Sequence, residues 1–180
     1  MSKPFPALLS ILLVAALPSA AKAQAATPNL SDAEVAHVAV TANTIDIENG
    51  KLALTRAKSP DVKQFANTMI TDHTAVNEKA SALAGKLKVT PKDNAGSQSL
   101  MKGAAEAKAK LEPLKGAEFD RAYLEREVAY HQAVLDALDQ TLIPTTENAE
   151  LKQLMTDVRP AFVAHLEYAK QVGGKLQASK

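Results

Sequence analysis

Hydrophobic residues recur at steps of three and four positions along most of this chain, which is the spacing of amphipathic helices. The first such stretch follows a capping box at residues 31–34 and runs to about Lys58. The second begins at Pro60, because proline is favoured at the first position of a helix, and ends before Pro91. Only a tight connection separates the two stretches, so we expect them to pack as an antiparallel hairpin.

Two further periodic stretches occupy the C-terminal half. One covers residues 117–142 and is ended by Pro144, since the residue before a proline is disfavoured in a helix. The other is capped by Asn148 and closes at Gly173 and Gly174. We expect these two helices to form a second hairpin.

The segment between the hairpins, residues 92–116, has a different pattern. It opens with a polar loop, contains a shorter helix at about residues 99–111, and is interrupted by Pro113 and Gly116. We interpret it as a long crossover rather than a core helix. The whole pattern predicts an all-α domain over residues 31–176, a ferritin-like four-helix bundle of two antiparallel hairpins joined by a long crossover that contains a short extra helix.

Residues 1–23 have the layout of a secretory signal peptide. Lys3 gives a positive start, residues 7–17 form an apolar run, and small residues precede an expected cleavage after Ala23. The run is too short to span a bilayer, which favours a signal peptide over the alternative of an N-terminal membrane anchor. We expect residues 24–30 to be a flexible leader, and the mature protein to be periplasmic or secreted without an integral membrane span.

Charge and composition exclude several classes of partner and site. The chain has 21 Lys and Arg against 20 Asp and Glu, and removal of Lys3 and Lys22 with the signal peptide would leave 19 against 20. This balance offers no attraction for nucleic acid or for an anionic membrane. Because cysteine is absent, there is no disulfide framework and no thiolate metal site. The sequence also lacks a glycine-rich phosphate loop, so we expect no nucleotide cofactor.

On each predicted helix the hydrophobic residues form an apolar stripe along one face. Ionisable side chains within these stripes are the candidates for metal binding or catalysis. Three of the four histidines lie in the stripes of three different helices, and carboxylates lie near the stripe of the first helix or one turn before a histidine. Burying such groups without partners is costly, which favours a shared partner such as a metal ion. Imidazole and carboxylate ligands suit iron, copper, zinc or manganese rather than calcium. The candidate ligands are His73, His131, His165, Asp46, Glu48 and Glu127.

Other interpretations stay open at this point. Each histidine could bond a carbonyl or carboxylate of a neighbouring helix, and the protein would then be a non-catalytic envelope protein that binds a protein partner through an apolar patch on the 99–111 helix. A ferritin-type iron-oxidising centre is disfavoured, because Ile70, Val128 and Phe162 stand where that site needs glutamate. A metal-dependent oxidase would need an open coordination position and an access route, so we lean towards a protein that is not an enzyme.

Several motifs, in order along residues 31–172, resemble those of a widespread bacterial family of exported proteins of unknown function. The family is often labelled predicted outer-membrane proteins and is classed among ferritin-like helical bundles. The motifs are Gly50-Lys51-Leu52-Ala53, Ser59-Pro60-Asp61-Val62-Lys63, Asp72-His73-Thr74, Phe119-Asp120 with Tyr123, His131, and Pro160 with His165-Leu166.

The resemblance implies a ferritin-like fold and a location in the cell envelope, with no established activity. It also implies an acidic residue in the first helix, which Asp46 matches here, with Glu48 at a second acidic position. Any association with the outer membrane would be peripheral.

The leading hypothesis is an exported ferritin-like protein that binds a transition metal in the bundle core, for metal handling or stress protection. It requires the three stripe histidines to reach the same depth in the bundle, and a structure can test that requirement directly.

Overall fold

The computed structural model describes residues 30–178, and that part of the chain forms helices without any β-strand. The prediction of an all-α bundle is confirmed. The predicted signal peptide, residues 1–23, and nearly all of the predicted leader, residues 24–30, lie outside the described residues. The helices are α1 (Asp32–Arg56), α2 (Pro60–Leu87), α3 (Ala95–Leu111), α4 (Gly116–Ala137), a π-helical turn (Leu138–Leu142), α5 (Ile143–Thr145) and α6 (Ala149–Ala178).

Helices α1 and α2 run antiparallel and pack closely. The amide of Asn77 donates a hydrogen bond to Thr44 at one level of the pair, while Gly50 faces α2 nearer the connection. A Cβ atom at Gly50 would lie only 2.8 Å from Cγ1 of Ile70 and 3.1 Å from the carbonyl oxygen of Ala66. Glycine at this position therefore allows the two backbones to approach more closely than any other residue would.

Helices α4 and α6 also run antiparallel. The rings of His131 and His165 lie 5.4 Å apart, and further along the pair the guanidinium of Arg159 donates to the carboxylate of Asp139 at 2.7 Å. Helix α6 packs on α2 as well, and α3 lies mainly against α1. None of the described helices is both long and apolar enough to cross a membrane.

Two aspartates anchor the connections at the two ends of the bundle. Asp120 of α4, which is 3% exposed, accepts hydrogen bonds from the backbone N–H groups of Lys58 and Ser59 at 3.0 and 2.8 Å. At the opposite end, Asp32 of α1 accepts hydrogen bonds from two backbone N–H groups in the connection before α6. Helix α4 thus anchors the connection between α1 and α2, and α1 anchors the connection before α6.

The core consists of two apolar clusters with a polar layer between them. One cluster surrounds Phe65 and Tyr123 near the α1–α2 connection, and the other surrounds Leu135 and Met155 in the opposite half. The buried polar layer lies between these clusters on all four long helices. The members of this layer are Asn43, Asp46, His73, Glu127, His131 and His165.

Two boundaries in the middle of the chain differ from those predicted. The short helix begins at Ala95 rather than residue 99, because the side chain of Asn94 caps it and accepts hydrogen bonds from two backbone N–H groups. Regular α-helix ends at Ala137, before the π-helical turn, and Pro144 lies within α5 instead of ending the preceding helix. Proline is tolerated there because α5 is a new first turn.

The last helix also extends further than predicted. Gly173 and Gly174 do not close α6, which continues to Ala178. Neither glycine has the positive φ angle of a helix C-cap, and Leu176 beyond them packs against the apolar cluster around Phe65. This tertiary contact outweighs the low helix propensity of the two glycines.

Candidate metal centre

The polar layer contains five of the six candidate ligands. Four helices supply them: α1 gives Asp46, α2 gives His73, α4 gives both Glu127 and His131, and α6 gives His165. Each of the five is at most 4% exposed. The sixth candidate, Glu48, lies away from the layer on the surface of α1. Its side chain is 63% exposed and forms an ion pair with Lys51 at 2.8 Å.

An asparagine fixes the orientation of the His73 ring. Nδ1 of His73 lies 2.6 Å from Oδ1 of Asn43, and the amide nitrogen of Asn43 donates to the carbonyl oxygen of Ala39 at 2.9 Å. The second bond identifies the atom facing His73 as the amide oxygen, an acceptor, so Nδ1 of His73 must carry the hydrogen. In the neutral ring the lone pair is then on Nε2.

The other two rings are held in the same manner. Nδ1 of His131 lies 3.0 Å from the carbonyl oxygen of Glu127, and Nε2 of His165 lies 2.9 Å from Oδ2 of Asp72. Both partners are acceptors, so these nitrogens are the donors. The lone pairs are left on Nε2 of His131 and Nδ1 of His165. Outer hydrogen bonds of this kind orient the ligand histidines of metalloproteins.

The three rings lie close together, with centroids 5.2 to 5.7 Å apart. Nε2 of His73, Nε2 of His131 and Nδ1 of His165 are buried and make no hydrogen bond, and neither does Oδ2 of Asp46. Each histidine offers one nitrogen that lies within 4.8 Å of the nitrogens offered by the other two. Oδ2 of Asp46 lies 2.7 Å from Nε2 of His73 and 3.4 Å from Nε2 of His131.

Acceptor atoms that lie close together in the interior repel one another unless a cation lies among them. A proton could bridge only one such pair, and Oδ2 of Asp46 and Nε2 of His73 lack hydrogen-bond geometry despite their short separation. A metal ion can satisfy all of these lone pairs at once. Three histidine nitrogens, with the Asp46 oxygen close to two of the rings, are ligand types that zinc, copper and other first-row metals bind.

Glu127 belongs to an adjoining group. One oxygen each from Asp46 and Glu127 lies within 4.8 Å of the other and of a His131 nitrogen. Oε1 of Glu127 accepts a hydrogen bond from Nη1 of Arg126 at 2.6 Å, and the same nitrogen lies 3.5 Å from Oδ1 of Asp46. The guanidinium also stacks over the ring of Tyr130, 4.1 Å from its centroid. Arg126 therefore balances negative charge at the two carboxylates of the layer.

Burial and neighbouring charge separate the protonation states of these groups. Burial raises the pKa of Glu127 well above its usual value, and the charge of Asp46 raises it further. Burial alone would raise the pKa of Asp46 as well, but contact with His73 and the charge of His131 lower it below its usual value. Burial lowers the pKa of His131 to about 4 and also lowers the pKa of His165. Neutral imidazole is the form that binds metals.

Sequence reasoning missed the supporting residues of the layer. Asn43 lies three positions before Asp46 on the same face of α1, which is a signal that helical spacing could have given. Arg126 and Asp72 adjoin candidate ligands in sequence, but nothing in the pattern predicts their contacts. The fourth histidine, His37, is half-buried near Asp93, 3.8 Å away, and lies outside the layer.

Comparisons with known proteins place the chain in a wider context. A search of curated proteins gave no significant match. Among solved structures, the fold is similar to that of CopM in the Cu(II)-bound form, with a TM-score of 0.61 and 17% sequence identity. The similarity covers 81% of this chain and 97% of CopM, and at that identity it concerns the fold. The sequence model of one protein family matches residues 17–172, nearly the whole chain. The protein thus belongs to the family described as domain of unknown function DUF4142.

Proposed function

We propose that this protein binds one transition-metal ion in the core of the bundle, through His73, His131, His165 and Asp46. The observation that carries the proposal is the group of three buried histidines, which offer nitrogens within 4.8 Å of one another and each of which has one nitrogen without a hydrogen bond. Oδ2 of Asp46, which also lacks a hydrogen bond, lies 2.7 Å from Nε2 of His73. The outer hydrogen bonds of the three rings support it, because they leave the inward nitrogens free for a metal.

Copper is the first metal to test. Imidazole nitrogen suits several first-row metals, and affinity for such a site is highest for Cu(II) in the divalent series. The likeness of the fold to a protein solved in a Cu(II)-bound form adds support from an independent direction. Zinc is the closest competitor, because it binds the same ligands in tetrahedral geometry.

Glu127 serves the site mainly as a neighbour of Arg126 and His131. Its backbone carbonyl orients the ring of His131, and its carboxylate is held by Arg126 at 2.6 Å. A carboxylate held in this way positions the layer and balances charge, while Asp46 supplies the ligand oxygen. Glu48, exposed on the other face of α1, takes no part.

The physiological role we propose is metal handling in the cell envelope, by an exported protein of ferritin-like fold. The signal-peptide pattern of residues 1–23 supports export. Two antiparallel helix pairs with a metal site between them are a recurring arrangement of ferritin-like bundles. The alternative of a partner-binding protein predicted an apolar patch on α3. Among residues 30–178 the large exposed hydrophobic side chains are Met101 and Val163, single residues on different helices.

The first test compares two histidines. Untagged protein, stripped with a chelator, is titrated with Cu(II) and followed by metal analysis and electron paramagnetic resonance. We expect one equivalent of copper with nitrogen coupling in the spectrum. His131→Ala should weaken binding at least 100-fold, whereas His37→Ala should leave it unchanged, because His37 lies outside the polar layer. Equal retention of copper by both variants would refute the assignment.

A second comparison tests the oxygen ligand. Asp46→Asn keeps the size of the side chain but removes its charge, and we expect at least a tenfold loss of copper affinity. Glu48→Gln makes the same chemical change on the exposed face of the same helix and should have no effect. Circular dichroism on each variant verifies that the fold is intact. A larger loss for the Glu48 variant than for the Asp46 variant would contradict the proposal.

A further inference from the structure

An apolar cavity of about 140 Å³ lies in the half of the bundle beyond the histidines. All four long helices contribute to its wall, whereas α3 does not. At its inner end it reaches His73, His131 and Phe162, and along α2 it extends as far as Leu87. That stretch of α2 corresponds to roughly 21 Å at the rise of an α-helix. A small volume spread over such a length makes the cavity slender.

The wall is almost entirely aliphatic. It includes Val76, Leu138, Met155 and Val158, and the π-helical turn Leu138–Leu142 places both of its terminal leucines in the wall. Apart from the histidines, the polar side chains at the inner end are already engaged. The hydroxyl of Tyr130 donates to a backbone carbonyl, and Asn43 bonds both His73 and a carbonyl. Outside this inner end, the polar residues of the wall are Asp32, whose carboxylate already accepts hydrogen bonds from two backbone N–H groups, and Ser81, which is exposed on α2.

The cavity is accessible from the α2 side. Val76, Leu83 and Leu87 line it but are only half-buried, in contrast to the residues of α2 near the connection. Phe65 and Met69, for example, are fully buried. The C-terminal half of α2 thus covers the cavity incompletely, which leaves an entrance for a small molecule.

We propose that this cavity binds the unbranched hydrocarbon chain of a small amphiphile, with about six to eight carbons inside and the polar end towards Leu87. An apolar protein cavity of about 150 Å³ accommodates benzene, which sets the scale of the occupant. The slender shape favours a linear chain over a ring. The volume is too small for the long acyl chain of a membrane lipid. The cavity adjoins the proposed metal centre at its inner end, but the chain is held by the aliphatic wall, so its binding does not require a bound metal.

The test uses a homologous series of 1-alkanols from butanol to dodecanol. Each is titrated calorimetrically into metal-free protein kept in a chelator. Because each buried methylene contributes a constant increment, affinity should rise about fourfold per carbon and level off near eight carbons. Affinity that does not depend on chain length would overturn the proposal, and so would a rise that continues unbroken to dodecanol, as expected for an open surface.

A pair of alanine variants locates the binding site. Ala80 lines the cavity and is half-buried, so Ala80→Leu should reduce octanol affinity at least tenfold by filling the space. Ala105 is exposed on α3, so Ala105→Leu adds the same bulk elsewhere and should leave affinity unchanged. Unchanged octanol affinity in the Ala80 variant would overturn the assignment. Copper titration of the same variant reports on the metal centre separately, so the two proposals succeed or fail independently.

Discussion

The polar layer should make the stability of the metal-free protein depend on pH through His131. This side chain is 1% exposed, and burial lowers its pKa to about 4, against an ordinary value of 6.5. We consider the substitution His131→Gln, which keeps a polar side chain of similar size but cannot take up a proton. The difference in unfolding free energy between wild type and variant then isolates the titration of this residue.

The sign and size of the effect follow from the two pKa values. In the unfolded chain His131 takes up a proton as the pH falls through 6.5, while in the folded protein it stays neutral until about pH 4. Protonation therefore favours the unfolded state over this interval. The unfolding free energy of the wild type, relative to the variant, should therefore fall by roughly 3 kcal/mol between pH 7 and pH 4, at 1.36 kcal/mol per pH unit.

Urea unfolding followed by circular dichroism at several pH values between 7.5 and 4 measures this difference. The subtraction matters because another group in the layer acts in the opposite direction. Burial raises the pKa of Glu127, so its protonation adds stability as the pH falls. The curve of the wild type alone mixes the two effects, whereas the difference from His131→Gln leaves the histidine contribution. A chelator in the buffer keeps the site free of metal.

The refuting result has a clear physical meaning. The charge of Asp46 favours the protonated ring, in opposition to burial. If that attraction were stronger than burial, His131 would be charged in the folded protein, and the wild type would gain stability relative to the variant as the pH falls. A gain of this kind, or a difference independent of pH, would show that the ring is not held neutral for metal binding.

Two further predictions concern the fold. Asp120→Ala should destabilise the protein by about 3 kcal/mol in urea unfolding, because it removes the acceptor of two backbone N–H groups in the α1–α2 connection, and a loss below about 1 kcal/mol would contradict this role. Gly50→Ala should cost about 1 kcal/mol, since its Cβ would lie 2.8 Å from Ile70, whereas Gly103→Ala meets nothing within 4 Å and should stabilise by a similar amount; the same sign for both would refute the packing argument.

Much of the fold was predictable because its signals are local. Capping residues and apolar periodicity identified all four long helices, and the capping box of Ser31 and Glu34 forms as expected. The errors lie where contacts distant in sequence decide the outcome. The extension of α6 past Gly173 depends on the packing of Leu176, and the π-helical turn after α4 has no local sequence signal that we recognise.

The candidate site was predictable in its residue types but not in its geometry. Helical spacing alone could have separated Asp46 from Glu48, since residues two apart on a helix face different directions. The depth of Asp46 relative to His73 follows from the tight connection between α1 and α2. The position of His131 along the bundle axis relative to His73 depends on the crossover that contains α3. No local sequence pattern predicts the path of that crossover.

The position of Gly50 links the packing of the bundle to its chemistry. Gly50 lies one helical turn after Asp46 and brings α1 against α2 where a larger residue would hold them apart. The short reach of an aspartate then suffices to place its carboxylate 2.7 Å from His73 on the facing helix. A glutamate at the same separation would project past that point. Gly50 and Asp46 therefore act together: the glycine sets the small separation of α1 and α2, and the aspartate side chain has the length that this separation requires.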